Sequence, residues 1–232
     1  MKDIVLITGV AKRLGFAMAK RFLKAGFDVV GTYRSERDSL GELRAAGVEL
    51  IQCDLSSQTD VDKLCESVKA QDQGIRAIIH NASDWMSESG SDDLWSCFDS
   101  MMAVHARAPY YINMSLESHL IDGADIIHIG DYVSSTGSAK HLAYAASKAA
   151  LDNLTLSFAK RLAPKCKVNA IAPALILFND DDSDSYKEKA VAKSLMGREG
   201  GVDEFLRMLD FIMASDYVTG RVLPLDGGRH LK

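Results

Sequence analysis

Short apolar runs alternate along this chain with longer stretches that have the hydrophobic period of helices. The runs have the length and composition of buried strands. They predict strands at Ile4–Ile7, Asp28–Thr32, Val48–Gln52, Ala77–His80, Asp125–Ile129 and Lys167–Ala170. The periodic stretches predict helices at Gly15–Ala25, Ser39–Ala46, Val61–Gln71 and Tyr144–Leu162. Because strands and helices alternate, we expect an α/β fold with a doubly wound parallel sheet and helices on both faces.

No repeat, low-complexity tract or linker divides the 232 residues, so we expect one Rossmann-type domain over residues 1–232. The hydrophobic fraction of 47% and charged fraction of 25% are typical of a globular protein. A net charge of −5 without a basic stripe argues against a nucleic-acid partner. The apolar run Ile4–Ile7 is too short for a signal peptide or a membrane span. We therefore expect a cytoplasmic protein that does not associate with membranes.

Neither the cysteines nor the acidic segment of the chain supports a metal site. The four cysteines lie far apart, which indicates isolated core or surface thiols: Cys53, Cys65, Cys97 and Cys166. The aspartates of Asn179–Tyr186 alternate as in a calcium loop, but Ser185 replaces the required Gly and Val191 the required Glu. We interpret this segment as an exposed mobile loop, in a position where a lid over a ligand crevice would also lie.

The first predicted strand leads directly into a glycine-containing turn and then into a helix. The turn reads TGVAKRLG from Thr8 to Gly15, in which Gly9 permits a tight turn and Gly15 a close approach of helix and strand. The start of such a helix offers backbone N–H groups to a pyrophosphate. Two glycines alone also occur in ordinary strand–turn–helix units, but the position on the first βα unit favours a dinucleotide site.

The end of the second predicted strand indicates which dinucleotide binds. NAD sites usually carry Asp or Glu there for the ribose 2′-hydroxyl group. This chain has no acidic residue before Glu36 and has Arg34 instead. A guanidinium matches the geometry of a phosphate, so Arg34, with Arg13 of the glycine turn, favours the 2′-phosphate of NADPH. The alternative is that both are ordinary surface arginines.

A tyrosine and a lysine lie at the start of the last long predicted helix. Tyr144 and Lys148 are four residues apart and therefore share one helix face. An ammonium beside a phenol favours the phenolate, so we expect Lys148 to lower the pKa of Tyr144. Tyr144 would then be a proton donor for reduction of a C=O or C=N bond. This spacing is common in proteins, and only the preceding strand and the glycine turn give it meaning.

Five motifs resemble the short-chain dehydrogenase/reductase family in their order and spacing. They are TGVAKRLG, HNAS at His80–Ser83, YAASK at Tyr144–Lys148, VNAIAP at Val168–Pro173 and VTGRVLPLDGG at Val218–Gly228, and they extend over essentially the whole chain. Two departures resemble the pteridine-reductase branch of that family. Asp131 stands 13 residues before Tyr144, where Ser is usual, and Arg13 replaces the middle glycine of the turn.

The resemblance implies an NADPH-dependent oxidoreductase that reduces a 7,8-dihydropterin. The implied reaction transfers a hydride to C6 and a proton to N5 of 7,8-dihydromonapterin and, less efficiently, of 7,8-dihydrofolate. The implied catalytic residues are Tyr144, Lys148 and Asp131. The implied cofactor-binding residues are Gly9, Arg13, Leu14, Gly15, Tyr33, Arg34, Ser35, Asp54, Leu55, Asn81, Ala82, Ser83, Tyr144, Lys148 and Pro173. The resemblance also implies a homotetramer, assembled partly through helices near Trp95–His119 and Tyr144–Leu162.

A pterin is a flat, polar heterocycle, so its site needs hydrogen-bond acceptors and an aromatic face. The candidate substrate-binding residues are Ser83, Trp85, Asp131 and Tyr144. Asp131 could accept from the pterin or polarise Tyr144, while Trp85 could stack on the ring. Because a carboxylate repels a tyrosinate, we expect Asp131 to be partly protonated or strongly hydrogen-bonded.

Plainer structural roles stay open for three of these positions. Trp85 could pack in the core or at an interface, Asp131 could cap a helix or a turn, and His105 could be a structural histidine where the family usually has Asn. Two other functions also stay open. One is a reductase of a ketone, sugar or acyl-carrier substrate, and the other is a non-enzymatic NADP-binding sensor, against which the intact pair of Tyr144 and Lys148 argues.

Overall fold

The computed structural model describes residues 2–90 and 93–232. In that part of the chain one sheet contains β1 (Ile4–Ile7), β2 (Asp28–Tyr33), β3 (Glu49–Gln52), β4 (Ile75–His80), β5 (Leu120–Ile129), β6 (Cys166–Pro173) and β7 (Arg221–Leu225). The spatial order is β3-β2-β1-β4-β5-β6-β7, and all neighbouring strands are parallel. The winding direction reverses between β1 and β4. Ligands of such sheets bind at that point, beyond the carboxyl ends of the strands.

The helices are α1 (Arg13–Lys24), α2 (Ser39–Ala45), α3 (Gln58–Lys69), α4 (Leu94–Met102), α5 (Ala108–Leu116), α6 (Val133–Thr136), α7 (Leu142–Leu162), α8 (Asp184–Val191) and α9 (Val202–Ala214). A π-helical segment, Ala103–Arg107, joins α4 to α5. Short 3₁₀ turns lie at Glu88–Gly90, Glu117–His119 and Arg229–Leu231. The stretch expected to be one long helix at Trp95–His119 is therefore divided by a change of helix type.

Two large hydrophobic clusters cover the two faces of the sheet, and a third, small one contains Cys97, Met101 and Ala143. Successive side chains of a strand point to opposite faces, so Ile4 and Leu6 of β1 pack with α3, α5 and α7. Val5 and Ile7 pack with α1, α2 and α9 on the other face. Since both faces are covered, β1 is an uninterrupted apolar run rather than an alternating one. The predicted fold class, a doubly wound parallel α/β sheet, is confirmed.

The strand β7 is absent from the sequence prediction, which gave six strands rather than seven. It lies at the edge of the sheet, pairs with β6 and contains Pro224. A proline inside an apolar run argues against a strand unless the strand is at an edge. The six predicted strands lie where they were expected, although β5 begins five residues earlier. The four predicted helices agree with the structure to within three residues at each end.

The acidic segment Asn179–Tyr186 is only partly a loop. It lies mostly on the surface, but its last three residues form the start of α8, where the Ser183 hydroxyl accepts a hydrogen bond from the Tyr186 N–H group. Ser at the N-cap and Asp in the first turn are typical of a helix start. The prediction of a loop is therefore wrong from Asp184 onward.

All four cysteines are buried and free, so the interpretation as isolated core thiols is confirmed. Within the described ranges, no group of three or more His, Cys, Asp or Glu residues is arranged to bind a metal ion. None of the helices described is long and apolar enough to span a membrane.

Candidate active site

Gly9 and Gly15 bring the turn after β1 into close contact with the end of β4. Gly9 has a φ angle of +74°, in the left-handed region that favours glycine. A Cβ atom on Gly9 would lie 2.9 Å from Cα of Ala82, and one on Gly15 would lie 2.0 Å from the carbonyl oxygen of Gly9. The backbone therefore forms a tight cradle at the reversal point, followed immediately by α1.

Asn81 connects the ends of the two central strands. Its side-chain amide donates to the carbonyl oxygens of Thr8, at 3.0 Å, and Gly9, at 2.9 Å. In return, the Thr8 hydroxyl accepts from the backbone N–H groups of Asn81 and Ala82, each at 3.0 Å. These four bonds fix the position of the glycine cradle relative to β4.

The two predicted phosphate-binding arginines make different contacts. Arg34 lies just beyond β2, and its guanidinium pairs with Asp84 at 2.6 Å. Its side chain is 60% exposed, so this ion pair contributes only about 0–1 kcal/mol and is easily exchanged for a phosphate. Arg13 turns toward the segment after β6, where it donates to the Leu177 carbonyl oxygen at 2.9 Å and to the Asn179 side chain at 2.6 Å. The structure thus directs Arg13 away from the end of β2.

The other residues expected around the adenine lie at the ends of β2 and β3. The Tyr33 ring packs in the core and its hydroxyl donates to Glu36, so its side chain is already engaged. Ser35 is exposed. Asp54 accepts two hydrogen bonds from Ser56, and Leu55 beside it is buried.

The glycine cradle, the start of α1 and Arg34 together fit an NADP(H) molecule. Because the cradle has no side chains at its glycines, its backbone can approach a pyrophosphate closely. The start of α1 supplies N–H donors and a partial positive charge. Arg34 supplies a paired donor for a 2′-phosphate where an NAD site would carry an acid.

The Tyr144 hydroxyl donates to Oδ2 of Asp131 at 2.8 Å, which is the central contact of the site. Oδ1 of Asp131 accepts from the Val133 N–H group at 3.0 Å, so Asp131 also caps the turn that begins α6. The structural alternative, a turn-capping aspartate, is therefore observed together with a direct contact to Tyr144. Its two hydrogen bonds agree with the expectation of a strongly hydrogen-bonded carboxyl group.

Lys148 lies behind this pair and is almost fully buried. Its ammonium donates to the Ile129 carbonyl oxygen at 2.8 Å and lies 5.7 Å from the centre of the Tyr144 ring. Burial lowers the pKa of Lys148 to about 8, while Asp131 and Asp152 act in the opposite direction. Asp152 is four residues after Lys148, and this helical spacing could have identified it from the sequence.

The expected lowering of the Tyr144 pKa is wrong for this structure. Burial, followed by the Asp131 charge and the hydrogen bond to it, raises the pKa of Tyr144 above its usual value. The Lys148 ammonium does not reverse this, because it bonds to Ile129 rather than to the phenol. Tyr144 is therefore a fully protonated phenol at neutral pH, bonded to the acceptor that orients it.

His105 is buried in a hydrogen-bond network that the sequence did not predict. Its Nε2 atom accepts from the Asp84 N–H group at 3.2 Å and lies 2.9 Å from the Ser83 hydroxyl. Its Nδ1 atom lies 2.8 Å from the Ser147 hydroxyl, which itself donates to the Tyr144 carbonyl oxygen. These directions assign a neutral ring protonated at Nδ1. Burial lowers the pKa of His105 to about 2. His105 thus connects the segment after β4 to α7.

Trp85 is 65% exposed at the rim of this site. Its ring lies 4.2 Å from that of His141, centre to centre, with a tilt of 36°. The alternative of a core residue is therefore wrong for Trp85 within this chain. His141 had no predicted role, and its position beside Trp85 depends on tertiary structure.

We expect Asp131→Asn to lower the pKa values of Tyr144 and Lys148, so that the alkaline loss of kcat begins at a lower pH than in the wild type. The Asp131 charge disfavours the phenolate, so its removal lowers the pKa of Tyr144 and the proton donor is lost at a lower pH. The measurement is kcat between pH 6 and the limit of protein stability. Asp210→Asn is the matched control, because Asp210 is a surface carboxylate that pairs with Arg21 and lies outside the site. An unmoved limb in Asp131→Asn would contradict the assignment.

A parallel sheet with a dinucleotide cradle at its reversal point, and a phenol, a carboxylate and an ammonium beside it, defines a nicotinamide-dinucleotide-dependent oxidoreductase. A family model described as enoyl-(acyl carrier protein) reductase matches residues 9–230. The chain belongs to the short-chain dehydrogenase/reductase family.

Curated relatives match this chain over almost its whole length. The dihydromonapterin reductase of Klebsiella pneumoniae subsp. pneumoniae is 47% identical over 98% of this chain and 97% of its own. The dihydromonapterin reductase of Enterobacter sp. is 48% identical over 98% of this chain and 96% of its own.

A solved structure of the alternative dihydrofolate reductase 1 from Brucella canis, complexed with NADP, has a TM-score of 0.88. It is 28% identical, over 99% of this chain and 94% of that chain. The structure of an apo SCOR enzyme from Clostridium thermocellum has a TM-score of 0.89 at 24% identity, over 100% and 94% of the two chains, and supports the fold alone.

Proposed function

We propose that this protein is an NADPH-dependent dihydropterin reductase that converts 7,8-dihydromonapterin, and less efficiently 7,8-dihydrofolate, to the tetrahydro form. The hydrogen bond of 2.8 Å between the Tyr144 hydroxyl and Asp131 carries this proposal, because it provides an oriented proton donor beside a carboxylate acceptor. Relatives named dihydromonapterin reductase, at 45–48% identity, support the substrate class.

NADPH, when bound, supplies the hydride for C6 of the pterin. The residues that we propose hold it are Gly9, Arg13, Leu14, Gly15, Tyr33, Arg34, Ser35, Asp54, Leu55, Asn81, Ala82, Ser83, Tyr144, Lys148 and Pro173. Arg34 is the 2′-phosphate ligand in this proposal, after exchange of its ion pair with Asp84. Lys148 contributes an ammonium near the nicotinamide ribose. The Brucella canis protein complexed with NADP, at 28% identity, supports this assignment.

In the proposed step the Tyr144 hydroxyl turns from Asp131 to N5 of the pterin and gives its proton there, while Asp131 holds the phenol in place before substrate binds. The phenol stays protonated at neutral pH because burial and, after it, Asp131 raise its pKa. Loss of the proton creates a phenolate beside a carboxylate, and the buried Lys148 ammonium offsets that charge. An Asp131→Ser variant with undiminished dihydropterin reduction would remove Asp131 from this mechanism.

The pterin ring binds, in this proposal, between polar acceptors and an aromatic face. Asp131 accepts from the amino or ring N–H groups, and Ser83 completes the polar rim with Tyr144. Trp85 lies exposed at the same rim, four residues after Asn81, and stacks on the pterin.

The test is NADPH oxidation by the purified protein with 7,8-dihydromonapterin, 7,8-dihydrobiopterin and 7,8-dihydrofolate. We expect fast turnover of the two dihydropterins and slower turnover of dihydrofolate. An enoyl thioester, a ketone and a sugar belong in the same panel, because the matching family model is described as an enoyl-(acyl carrier protein) reductase. Turnover of one of these alone would assign the protein to that rival class. NADPH binding without turnover of any substrate would favour a sensor.

We further propose that residues 1–232 act as one domain and that the protein is a cytoplasmic homotetramer with no nucleic-acid or membrane partner. Large apolar side chains are exposed on three helices: Leu94, Trp95 and Phe98 on α4, Tyr110, Tyr111 and Met114 on α5, and Leu142 and Leu156 on α7. Apolar faces of this extent favour association of subunits.

Light scattering on the purified protein is expected to give four times the mass of one chain. Because Trp95 is 82% exposed on α4, Trp95→Asp should reduce that mass, while Tyr186→Asp on α8 should leave it unchanged. A monomeric wild-type protein would contradict the proposed assembly.

A further inference from the structure

A cavity of about 300 Å³ lies at the carboxyl ends of β6 and β7. This volume is at the lower end of the range for small-molecule sites. Leu175, Met196 and Leu225 contribute apolar walls, and Arg198 and Arg229 contribute cations. The catalytic groups described above do not use it.

One residue of the cavity wall, Arg229, contacts the residue next to Asp131. The guanidinium carbon of Arg229 lies 4.3 Å from the centre of the Tyr132 ring. Tyr132 directly follows Asp131, and its N–H group donates to the Pro173 carbonyl oxygen at 3.1 Å. Since Leu175 follows Pro173 by two residues, the same strand end borders both the cavity and the proposed cofactor site.

The acidic residues at the cavity already have partners. Asp226 accepts from His230 at 2.6 Å, Glu199 accepts from the Phe178 N–H group at 3.2 Å, and Glu204 pairs with Arg207 at 2.8 Å. Each of these carboxylates therefore has a donor of its own.

Unlike these acidic residues, Arg229 has no partner of opposite charge among the residues that the structure describes. Among the described residues, no carboxylate lies within ion-pair distance of its guanidinium, which stacks on Tyr132 instead. A stacked guanidinium keeps its N–H donors in the plane of the group, where they match a carboxylate. The cavity therefore combines an apolar chamber with a cation that has no ionic partner.

We propose that this cavity receives a tail of an aromatic ring followed by a carboxylate, attached to the pterin as in the aminobenzoyl-glutamate of dihydrofolate, and that Arg229 binds the carboxylate. The inference rests on the proposed function and identifies the residue that admits the larger substrate. The apolar walls suit an aromatic ring, and the guanidinium suits the carboxylate beyond it. The polyol side chain of dihydromonapterin has neither group.

The test compares KM values of the wild type and Arg229→Met for dihydrofolate and dihydromonapterin. A lost charge-assisted hydrogen bond should raise the KM for dihydrofolate about tenfold or more relative to that for dihydromonapterin. Arg229→Lys keeps the charge without the planar fork, so its KM for dihydrofolate should lie between those of the wild type and Arg229→Met. Arg21→Met is the matched control, because Arg21 is a surface cation of α1 that pairs with Asp210, and neither residue lines the cavity. Equal changes for both substrates, or no change for dihydrofolate, would overturn the proposal.

Calorimetric titration with p-aminobenzoyl-glutamate gives a readout independent of turnover. We expect binding to the wild type and to Arg21→Met, and loss of binding in Arg229→Met. We expect no binding of p-aminobenzamide, which lacks the carboxylate. If the wild type reduces neither dihydropterin, the proposed function fails. The titration still shows whether the cavity binds a carboxylate through Arg229. Binding that is equal in wild type and Arg229→Met would exclude Arg229 as the ligand.

Discussion

Tyr144→Phe is expected to reduce the turnover of 7,8-dihydromonapterin by about 10²–10⁴-fold, the usual contribution of a positioned proton donor. The substitution removes only the hydroxyl that donates to Asp131 and keeps the ring that packs beside His105. NADPH affinity should fall only modestly, because Tyr144→Phe removes one proposed contact and leaves Arg34 and the glycine cradle untouched. The measurements are kcat under saturating dihydropterin and fluorescence titration with NADPH.

Tyr217→Phe is the matched control for this prediction, since Tyr217 is 98% exposed and lies outside the site. It should retain the wild-type kcat. If Tyr144→Phe kept more than about a tenth of the wild-type turnover, the proton would have to come from another donor. A joint loss of turnover and NADPH binding would instead indicate a disturbed fold, which circular dichroism would detect.

The sequence predicted the parts of this protein that depend on local pattern. The strands of the sheet interior are continuous apolar runs, because both faces of the sheet are covered. Gly9 and Gly15 were identified because a tight turn and a close helix–strand contact each require glycine. The edge strand β7 was not predicted, because Pro224 interrupts its apolar pattern and because edge strands need fewer apolar residues.

The electrostatics of the site could not be predicted from spacing. Tyr144 and Lys148 share a helix face, yet Lys148 donates to Ile129 and the phenol bonds to Asp131, which raises the pKa of Tyr144. Whether a nearby ammonium or a nearby carboxylate sets the direction of the pKa shift of a phenol depends on burial and on which atoms are in contact. The direction of Arg13 is similarly a tertiary property, fixed by partners that lie more than 160 residues away in the chain.

The hydrogen-bond network of His105 could not be predicted from the sequence either, because it also depends on tertiary structure. Its ring contacts Ser83, Asp84 and Ser147, which belong to two separate segments of the chain. No periodicity relates these positions. The resemblance to the family marked His105 only as a departure from the usual Asn, and the structure supplies its contacts.

Gly15→Ala is expected to destabilise the protein by about 1–3 kcal/mol, the usual cost of inserting a methyl group into a tightly packed position. The added Cβ would lie 2.0 Å from the Gly9 carbonyl oxygen and 2.7 Å from the Asn81 amide nitrogen, so α1 must move away from β1. The same atoms shape the cofactor cradle. The Kd for NADPH should therefore rise about tenfold to a hundredfold, by the conversion of 1.4 kcal/mol per tenfold change.

Gly41→Ala in α2 is the matched control, because no heavy atom lies within 4 Å of the Cβ position there. An alanine in a helix is favoured over glycine, so this variant should gain roughly 0.5–1 kcal/mol and bind NADPH as the wild type does. Urea unfolding and fluorescence titration measure the two quantities for both variants. Opposite signs of the stability change would show that the contact with Gly9, rather than helix propensity, requires glycine at position 15. A Gly15→Ala protein with unchanged stability and NADPH affinity would contradict the close packing of α1 against the cradle.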